Sequence, residues 1–320
     1  MRTGFDMSAI TKDAAHGGPG WSPRVKSLHQ EIGSVWGTCG ISNEWSQLEA
    51  VLMHRPGPEI EMVTNANDAL MHLIPEAVVA RRQHDDLVKA YRDTGVTVFY
   101  VEPTELPPPN QMYVADLFFM TPEGAILARP ASTVRAGEER FIAQKLVKLN
   151  VPILRCVRGN GVFEGADASW LDSDTVIIGT GLRTNSEGAA QVASILKEMN
   201  IDVVRVDLPG TVMHLMGTLR FVDQDSAICW RSRIPRSAVE ILRDYGYTTY
   251  FIPDEQEAVQ GMALNFVTLG PKKILMPTGN PRTQSFYENM GIKCVTVDVS
   301  EIHKAAGGIG CLTGILKRES

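Results

Sequence analysis

The 320-residue sequence contains 44% hydrophobic and 21% charged residues, proportions typical of a globular protein, which excludes a disordered or collagen-like chain. Thirty-one Lys and Arg against 37 Asp and Glu give a net charge of −6 with no basic block. A nucleic-acid partner is not expected, because phosphate binding normally requires a basic surplus. No apolar run approaches the ~20 residues of a membrane span, and no apolar signal segment follows Met1. We therefore expect a cytoplasmic protein that does not associate with membranes.

Residues 1–35 differ from the rest of the chain, because Gly17-Gly18-Pro19-Gly20 interrupts any hydrophobic periodicity. We interpret this segment as a tail or a lid, with a disordered terminus as the alternative. The repeat that begins near Leu48 indicates a single catalytic domain over residues 36–320.

From Leu48 onward, one order of elements recurs, namely a β-hairpin, a helix and a strand. Equivalent hairpins are predicted to begin near residues 117, 168, 219 and 264, a period of roughly 50 residues that is typical of repeat architectures. The first unit has a strand at 48–53, a helix at 76–94 and a strand at 96–101, and a final strand at 311–317 can complete it. We predict an α/β fold of five ββαβ units, a propeller around a central active site. A doubly wound Rossmann sheet is the alternative, but the sequence lacks its G-x-G-x-x-G motif.

Polar residues stand just before the predicted hairpins, where the five units would surround one site. They are Asn110, Asp116, Glu164, His214 and the segment Gly307–Cys311. Glycines beside Cys311 let the backbone approach a ligand and would present the thiol instead of packing it. The remaining cysteines have apolar or aromatic neighbours and are expected to be buried: Cys39, Cys156, Cys229 and Cys294. Five cysteines without a C-x-x-C pair indicate a reducing compartment, with neither a disulfide framework nor a thiolate zinc site.

Cys311 and a distant His214 are the minimum pair for nucleophilic catalysis, in which the imidazole exchanges protons with nucleophile, leaving group or water. A buried core histidine is the alternative for His214, whose neighbours are apolar. Asp116 and Glu164 lie in apolar surroundings, where a carboxylate requires a donor. Two such carboxylates suit the planar N–H fork of a guanidinium, although each could instead cap a turn or pair with an internal arginine.

Arg135, Arg183 and Asn110 complement these carboxylates. An amino-acid ligand needs a cationic fork for its α-carboxylate and an acceptor for its ammonium. Arginines on the solvated surface are the alternative.

At these residues the chain resembles the guanidino-group modifying enzymes: arginine deiminases, dimethylarginine dimethylaminohydrolases and amidinotransferases. Their pentein fold is a five-bladed α/β propeller, and the resemblance extends over residues 43–318. It is carried by an ordered set of segments: 48–57 (LEAVLMHRPG), 110–116, 164–167 (with Ala166 in place of a glycine), 181–185, His214-Leu215 and 307–311.

The resemblance implies a role for each predicted residue and no metal or organic cofactor. The implied catalytic set is the nucleophile Cys311, the acid and base His214, and the guanidinium ligands Asp116 and Glu164. The implied substrate-binding set is Asn110 for the amine, with Arg135 and Arg183 for the carboxylate. The implied reaction hydrolyses the guanidinium carbon of arginine or an Nω-methylated arginine through a covalent S-alkylthiouronium, giving citrulline and an amine or ammonia.

Three departures from the family pattern separate its branches. The helical insertion of arginine deiminases is missing, and Met216 stands where deiminases and amidinotransferases have Asp. Asn43-Glu44-Trp45-Ser46-Gln47-Leu48 resembles an amidinotransferase segment, with Ser46 in place of its Asp. Compact size and Met216 favour the dimethylarginine hydrolase branch, and we predict that Met216 lines the site beside the methyl groups; its packing into the core is the alternative.

Two other functions remain open from the sequence. Amidino transfer to an amine is the rival reaction, and a non-catalytic binding propeller is disfavoured because all four catalytic positions are filled. The expected partner is a small guanidino amino acid, and a homo-oligomer remains open.

Overall fold

The computed structural model describes residues 13–319. Within them, fifteen strands form five three-stranded sheets. In each sheet, an antiparallel pair is extended by a third strand that runs parallel to the middle one. The strands are β1 (Leu48–Met53), β2 (Thr97–Tyr100), β3 (Phe118–Thr121), β4 (Gly124–Leu127), β5 (Ile153–Cys156), β6 (Ala168–Asp172), β7 (Thr175–Thr180), β8 (Asp202–Asp207), β9 (Leu219–Asp223), β10 (Ser226–Cys229), β11 (Thr248–Phe251), β12 (Val267–Gly270), β13 (Lys273–Pro277), β14 (Lys293–Val297) and β15 (Gly314–Arg318).

Helices make the crossovers that parallel strands require. Five of them, α2, α3, α4, α5 and α7, each join the middle strand of a sheet to its parallel neighbour. The described helices are α1 (Leu28–Glu31), α2 (Ala77–Asp93), α3 (Glu138–Lys148), α4 (Ser186–Glu198), α5 (Arg236–Asp244), α6 (Glu255–Gln260), α7 (Pro281–Asn289), α8 (Ser300–His303) and α9 (Ile309–Leu312). Each crossover helix buries an apolar face; α3, for example, buries Phe141, Ile142 and Leu146 in a core shared with β4 and β7.

The last strand closes the fold by joining the first sheet. β15 pairs antiparallel with β1, placing Ile315 opposite Val51, and β1 pairs in parallel with β2. The predicted arrangement of five ββαβ units is therefore confirmed. The predicted boundary of the final strand is wrong: the strand begins at Gly314, and Cys311 lies in the short helix α9.

The N-terminal segment packs at the ends of the strands that lie away from residues 110–116 and 164–167. His29 Nδ1 lies 3.2 Å from the carbonyl oxygen of Pro122 in the β3–β4 turn, and the Gly37 N–H donates to Asn150 O before β5. No residue from 13–35 lines the cavity at the predicted site. Residues 1–12, which belong to the same predicted tail or lid, lie outside the described residues. Among the helices described, none is both long and apolar enough to cross a bilayer.

Candidate active site

Each of the five units contributes one polar residue just before its first strand. Asp116 precedes β3, Glu164 precedes β6, His214 precedes β9, Asn265 precedes β12 and Cys311 precedes β15. The repeat brings these equivalent positions to the same end of the five sheets. Asn265 is the member that sequence reasoning missed, although its place at the start of a predicted hairpin is equivalent to the other four.

A cavity of ≈ 330 Å³ lies at this end of the sheets. Six of the eight predicted site residues line it: Asn110, Asp116, Arg135, Arg183, His214 and Cys311. The other two, Glu164 and Met216, are not among its lining residues.

Glu164 lies behind His214. Its Oε2 is 2.7 Å from His214 Nε2, while its Oε1 accepts from Ala131 N at 3.1 Å and from Arg183 Nη1 at 3.3 Å. The side chain is fully buried, so its charge requires these donors. Glu164 does not line the cavity and its carboxylate contacts the imidazole, so its direct contact with a guanidinium stays a prediction.

Carboxylates hold His214 in its protonated form. Burial opposes the charge, but Asp116, the hydrogen bond to Glu164, and Asp167 outweigh it and raise the pKa of His214 to about 9. Burial alone would raise the pKa of Glu164. His214, Arg135 and Arg183 outweigh this effect and hold the pKa well below its usual range. Asp167, whose own pKa burial raises to about 6, accepts from Leu215 N at 3.0 Å and so fixes the turn after His214. In this protonated form the imidazole of His214 is a proton donor.

This raised pKa predicts a pH-dependent stability. Protonation of His214 stabilises the fold fully below its ordinary pKa of about 6.5, and this stabilisation is lost as pH rises through about 9. Between pH 6.5 and 9.5, the wild-type protein should lose on the order of 3 kcal/mol of unfolding free energy more than His214→Asn. Urea unfolding across this range measures the difference, with the exposed His29→Asn as control. Parallel curves for wild type and His214→Asn would contradict the assignment.

Arg135 is an internal arginine, not a free fork for a substrate carboxylate. It is only 3% exposed. Its Nε and Nη2 donate to Glu138 Oε2 at 2.9 and 2.8 Å, and its Nη1 donates to Asp116 Oδ2 at 2.7 Å and Glu164 Oε2 at 3.3 Å. The predicted role of Arg135 at the α-carboxylate is therefore not seen, because protein carboxylates already surround its guanidinium. Its position orders Asp116 and Glu164.

Asp116 keeps one oxygen available to the cavity. Oδ2 accepts from Arg135, whereas Oδ1 has no hydrogen-bond partner among residues 13–319 although it is buried. His214 Nε2 lies 3.9 Å from this oxygen. A buried, unpaired carboxylate oxygen is costly and favours a cationic donor in the cavity.

Arg183 and Asn110 line the cavity as predicted for the two head-group ligands. Arg183 Nη1 donates to Glu164 Oε1, and the residue lines the cavity. Asn110 Nδ2 donates to Ala69 O at 2.7 Å, which leaves the amide oxygen to accept from a ligand.

The environment of Cys311 is formed by Asn265 and by closely packed glycines. Asn265 Nδ2 donates to Cys311 Sγ at 3.1 Å, and Asn265 Oδ1 accepts from Gly310 N at 2.7 Å. A side chain on Gly307 would overlap the ring of Tyr113, so glycine is required there. Burial and Asp116 raise the pKa of the Cys311 thiol, while the Gly308 N–H, Asn265 and Arg220 lower it.

Two sulfur-containing residues are placed differently from the predictions. Met216 is buried and lines a second cavity on the other side of the nucleophile segment, whereas Met213, 39% exposed, lines the cavity of Cys311. The short turn at Leu215–Gly217 separates these two sides, so the predicted contact of Met216 with the substrate is not seen. Cys156, expected to be buried, is exposed at the end of β5, so the expectation for Cys156 is wrong.

Comparison with known proteins identifies the family. The family model described as "N,N dimethylarginine dimethylhydrolase, eukaryotic" matches residues 61–316. The chain belongs to the dimethylarginine dimethylaminohydrolase family. This membership confirms the predicted class, an amidine hydrolase of the dimethylarginine dimethylaminohydrolase type.

Individual relatives agree with this assignment. An N(G),N(G)-dimethylarginine dimethylaminohydrolase from Pseudomonas aeruginosa is 26% identical over 241 residues, 75% of this chain and 89% of that enzyme. The structure of a Cys-to-Ser mutant of the P. aeruginosa enzyme, complexed with citrulline, has a TM-score of 0.70 at 22% identity and covers 83% of this chain and 98% of that one. SxtG, an amidinotransferase from Microseira wollei, has a TM-score of 0.69 at 15% identity and covers 88% of this chain and 98% of that one. The structural likenesses confirm the pentein fold.

Proposed function

We propose that this member of the dimethylarginine dimethylaminohydrolase family hydrolyses the guanidinium group of arginine or an Nω-methylated arginine, with Cys311 as nucleophile. The supporting observation is that Cys311, His214 and the unpaired Oδ1 of Asp116 border one cavity. A thiol, a proton donor and a lone anionic acceptor are the three groups that attack on a guanidinium carbon requires.

Asp116 accepts N–H groups of the substrate and turns the central carbon toward Cys311. The bound cation also offsets the Asp116 charge that raises the pKa of the thiol, so substrate binding favours the thiolate. The thiolate forms an S–C bond to the guanidinium carbon, and the resulting tetrahedral intermediate loses its amine after that amine takes a proton from His214. A covalent S-alkylthiouronium remains.

The second half of the reaction uses the same groups. The neutral His214 takes a proton from water, and the hydroxide forms a C–O bond to the thiouronium carbon. Breaking the S–C bond returns the thiolate, and the ureido product, citrulline, is released after its hydroxyl proton passes to the departed amine or to solvent. Glu164 keeps the imidazole in position in both halves through its 2.7 Å hydrogen bond.

Arg183 and the Asn110 oxygen bind the amino-acid end of the substrate in this proposal, and Arg135 acts through the carboxylates that it orders. Arg183→Met should raise KM for arginine substrates with a smaller effect on kcat, because the lost contact lies away from the reacting carbon. A charge-assisted contact of this kind contributes about 1.5–3 kcal/mol, so an increase of roughly 10- to 150-fold is expected. Steady-state kinetics test this, with Arg205→Met, on the exposed surface of β8, as control.

Agmatine, which lacks the carboxylate, provides the second arm of this test. It should be a poor substrate of the wild-type protein, and the Arg183→Met variant should show little additional loss with it. Equal turnover of agmatine and arginine substrates would place the head-group site elsewhere.

Product analysis decides among the substrates and reactions. The protein is incubated separately with arginine, monomethylarginine, dimethylarginine, and arginine plus glycine, and products are identified by mass spectrometry. Citrulline with methylamine or dimethylamine supports the methylated substrate, and the apolar side chains of Leu70 and Met213 in the cavity favour that outcome. Citrulline from arginine alone indicates a deiminase, whereas guanidinoacetate and ornithine from the mixture would establish amidino transfer and contradict hydrolysis.

A further inference from the structure

A second cavity lies on the other side of the segment that carries the nucleophile. Gly310 lines it, whereas Gly307 and Cys311 line the substrate cavity described above. Arg220, from β9, enters this second cavity and packs directly against Gly310, where any side chain would overlap its Nη2. A side chain at position 310, immediately before Cys311, would therefore force the guanidinium of Arg220 to move.

The Arg220 guanidinium is incompletely paired. Its Nε donates a long hydrogen bond, 3.4 Å, to Leu264 O, and its Nη2 has no partner among the described residues. Glu44 lines the same cavity, but one oxygen of its carboxylate accepts from Trp170 N at 3.0 Å. A buried cation is costly without an anion nearby.

Arg220 is half-buried with a buried Nη2 atom, and a second arginine beside it increases the excess of positive charge. Arg318, only 2% exposed, borders the same region as Glu44 and Arg220; its Nη1 donates to Ser46 O at 2.7 Å, and its Nε has no partner within residues 13–319. Two guanidinium groups therefore face one carboxylate. Arg220 contacts the backbone of Gly310, and Cys311 is the next residue. Ionisation of the Cys311 thiol would therefore add a negative charge close to the Arg220 guanidinium.

We propose that Arg220 is a positioning residue that stabilises the thiolate of Cys311 from the side of the nucleophile segment opposite the substrate. The inference rests on the proposed function only in taking Cys311 as the nucleophile. Asn265 donates to the sulfur, and Arg220 supplies the positive charge. Other titratable or charged groups face the two residues: Asp116, Tyr113 and His214 from the substrate cavity, and Glu44, Tyr91, Tyr287 and Arg318 around Arg220.

The pH dependence of Cys311 alkylation tests the proposal directly. Full-length protein is treated with iodoacetamide from pH 5.5 to 10.5, and labelling of Cys311 is followed by peptide mass spectrometry, since the exposed Cys156 also reacts. Arg220→Met should raise the midpoint by about one pH unit or more and slow Cys311 labelling at pH 7 roughly 10-fold. Arg220→Lys, which keeps the charge, should remain within a few tenths of a unit of wild type.

A variant with the opposite expected shift in midpoint keeps the test valid if Arg220→Met does not fold. Glu44→Gln keeps an oxygen for Trp170 N but removes the charge that offsets Arg220, so the midpoint should fall. If circular dichroism shows that Arg220→Met does not fold, the Lys and Glu44→Gln variants decide. An unchanged midpoint in folded Arg220→Met, a midpoint in Arg220→Lys raised as far as in the Met variant, or an unchanged or raised midpoint in Glu44→Gln would overturn the proposal. Turnover by Cys311→Ser would instead refute the proposed function, which these midpoints do not measure.

Discussion

Cys311→Ser is expected to abolish turnover while leaving the fold intact. The change replaces one atom in a side chain whose neighbour, the Asn265 amide, can donate to an oxygen as well as to a sulfur. A serine hydroxyl ionises far less readily than a thiol, so the nucleophile is lost. Activity should fall below detection, with an unchanged circular dichroism spectrum and an unfolding temperature within a few degrees of wild type.

Covalent labelling complements this kinetic result. Intact-mass analysis of the wild-type protein during turnover should show a substrate adduct, which peptide mapping should place on Cys311. Cys156→Ser serves as the matched control, because it removes an exposed thiol outside the cavity. An active Cys311→Ser variant, or an adduct confined to another cysteine, would refute the assignment of the nucleophile.

His214→Ala is expected to slow both halves of the reaction. The imidazolium protonates the departing amine, and the neutral imidazole then activates water, so one substitution removes acid and base together. General acid–base catalysis typically contributes about 10²–10⁴-fold, and kcat should fall by that range. Single-turnover reactions that are quenched at intervals and analysed by mass spectrometry would show whether adduct formation and adduct hydrolysis are both slow.

A second variant separates chemistry from orientation. Glu164→Gln keeps a side chain of the same size beside His214 but removes the charge that helps to hold its proton. Its pH–rate profile should lose activity on the alkaline side at lower pH than wild type does. Near-normal turnover of His214→Ala across pH 6–9 would return His214 to the alternative of a buried core histidine.

The fold could be predicted from the sequence because each repeat unit shows the same local sequence patterns. Alternating apolar residues, turn residues and helical periodicity recur every ~50 residues, and the predicted helix at 76–94 agrees with α2 within one residue at each end. The positions of Asp116, His214 and Cys311 followed from the same repeat, since equivalent positions in repeated units meet at one end. The N-terminal segment belongs to no repeat, so its packing against the β3–β4 turn had no signal in the sequence.

The pairing of charged residues inside the site could not be predicted from the repeat. Arg135 and Arg183 have the same chemistry and both line the cavity. Only the structure shows that three carboxylates surround the guanidinium of Arg135, whereas the described ion pair of Arg183 is with Glu164 alone. Glu164 and Asp116 differ for the same reason, because the donors that surround Glu164 come from distant segments. Met216 lines the second cavity, and Met213, for which the sequence carried no prediction, lines the cavity of Cys311. The short turn at Leu215–Gly217, which contains Met216 and follows Met213, has a geometry that is not visible in the sequence.

Strand β15 makes the position of Cys311 depend on a contact between two distant parts of the chain. β15 begins shortly after Cys311, and its partner β1 lies roughly 260 residues earlier in the chain. Pairing across such a separation is typically slow, because the intervening chain must be ordered first. Under the proposed function, a chain still emerging from the ribosome, or one clipped near its carboxyl end, would carry Cys311 without the strand pairing that holds it beside Asp116 and His214.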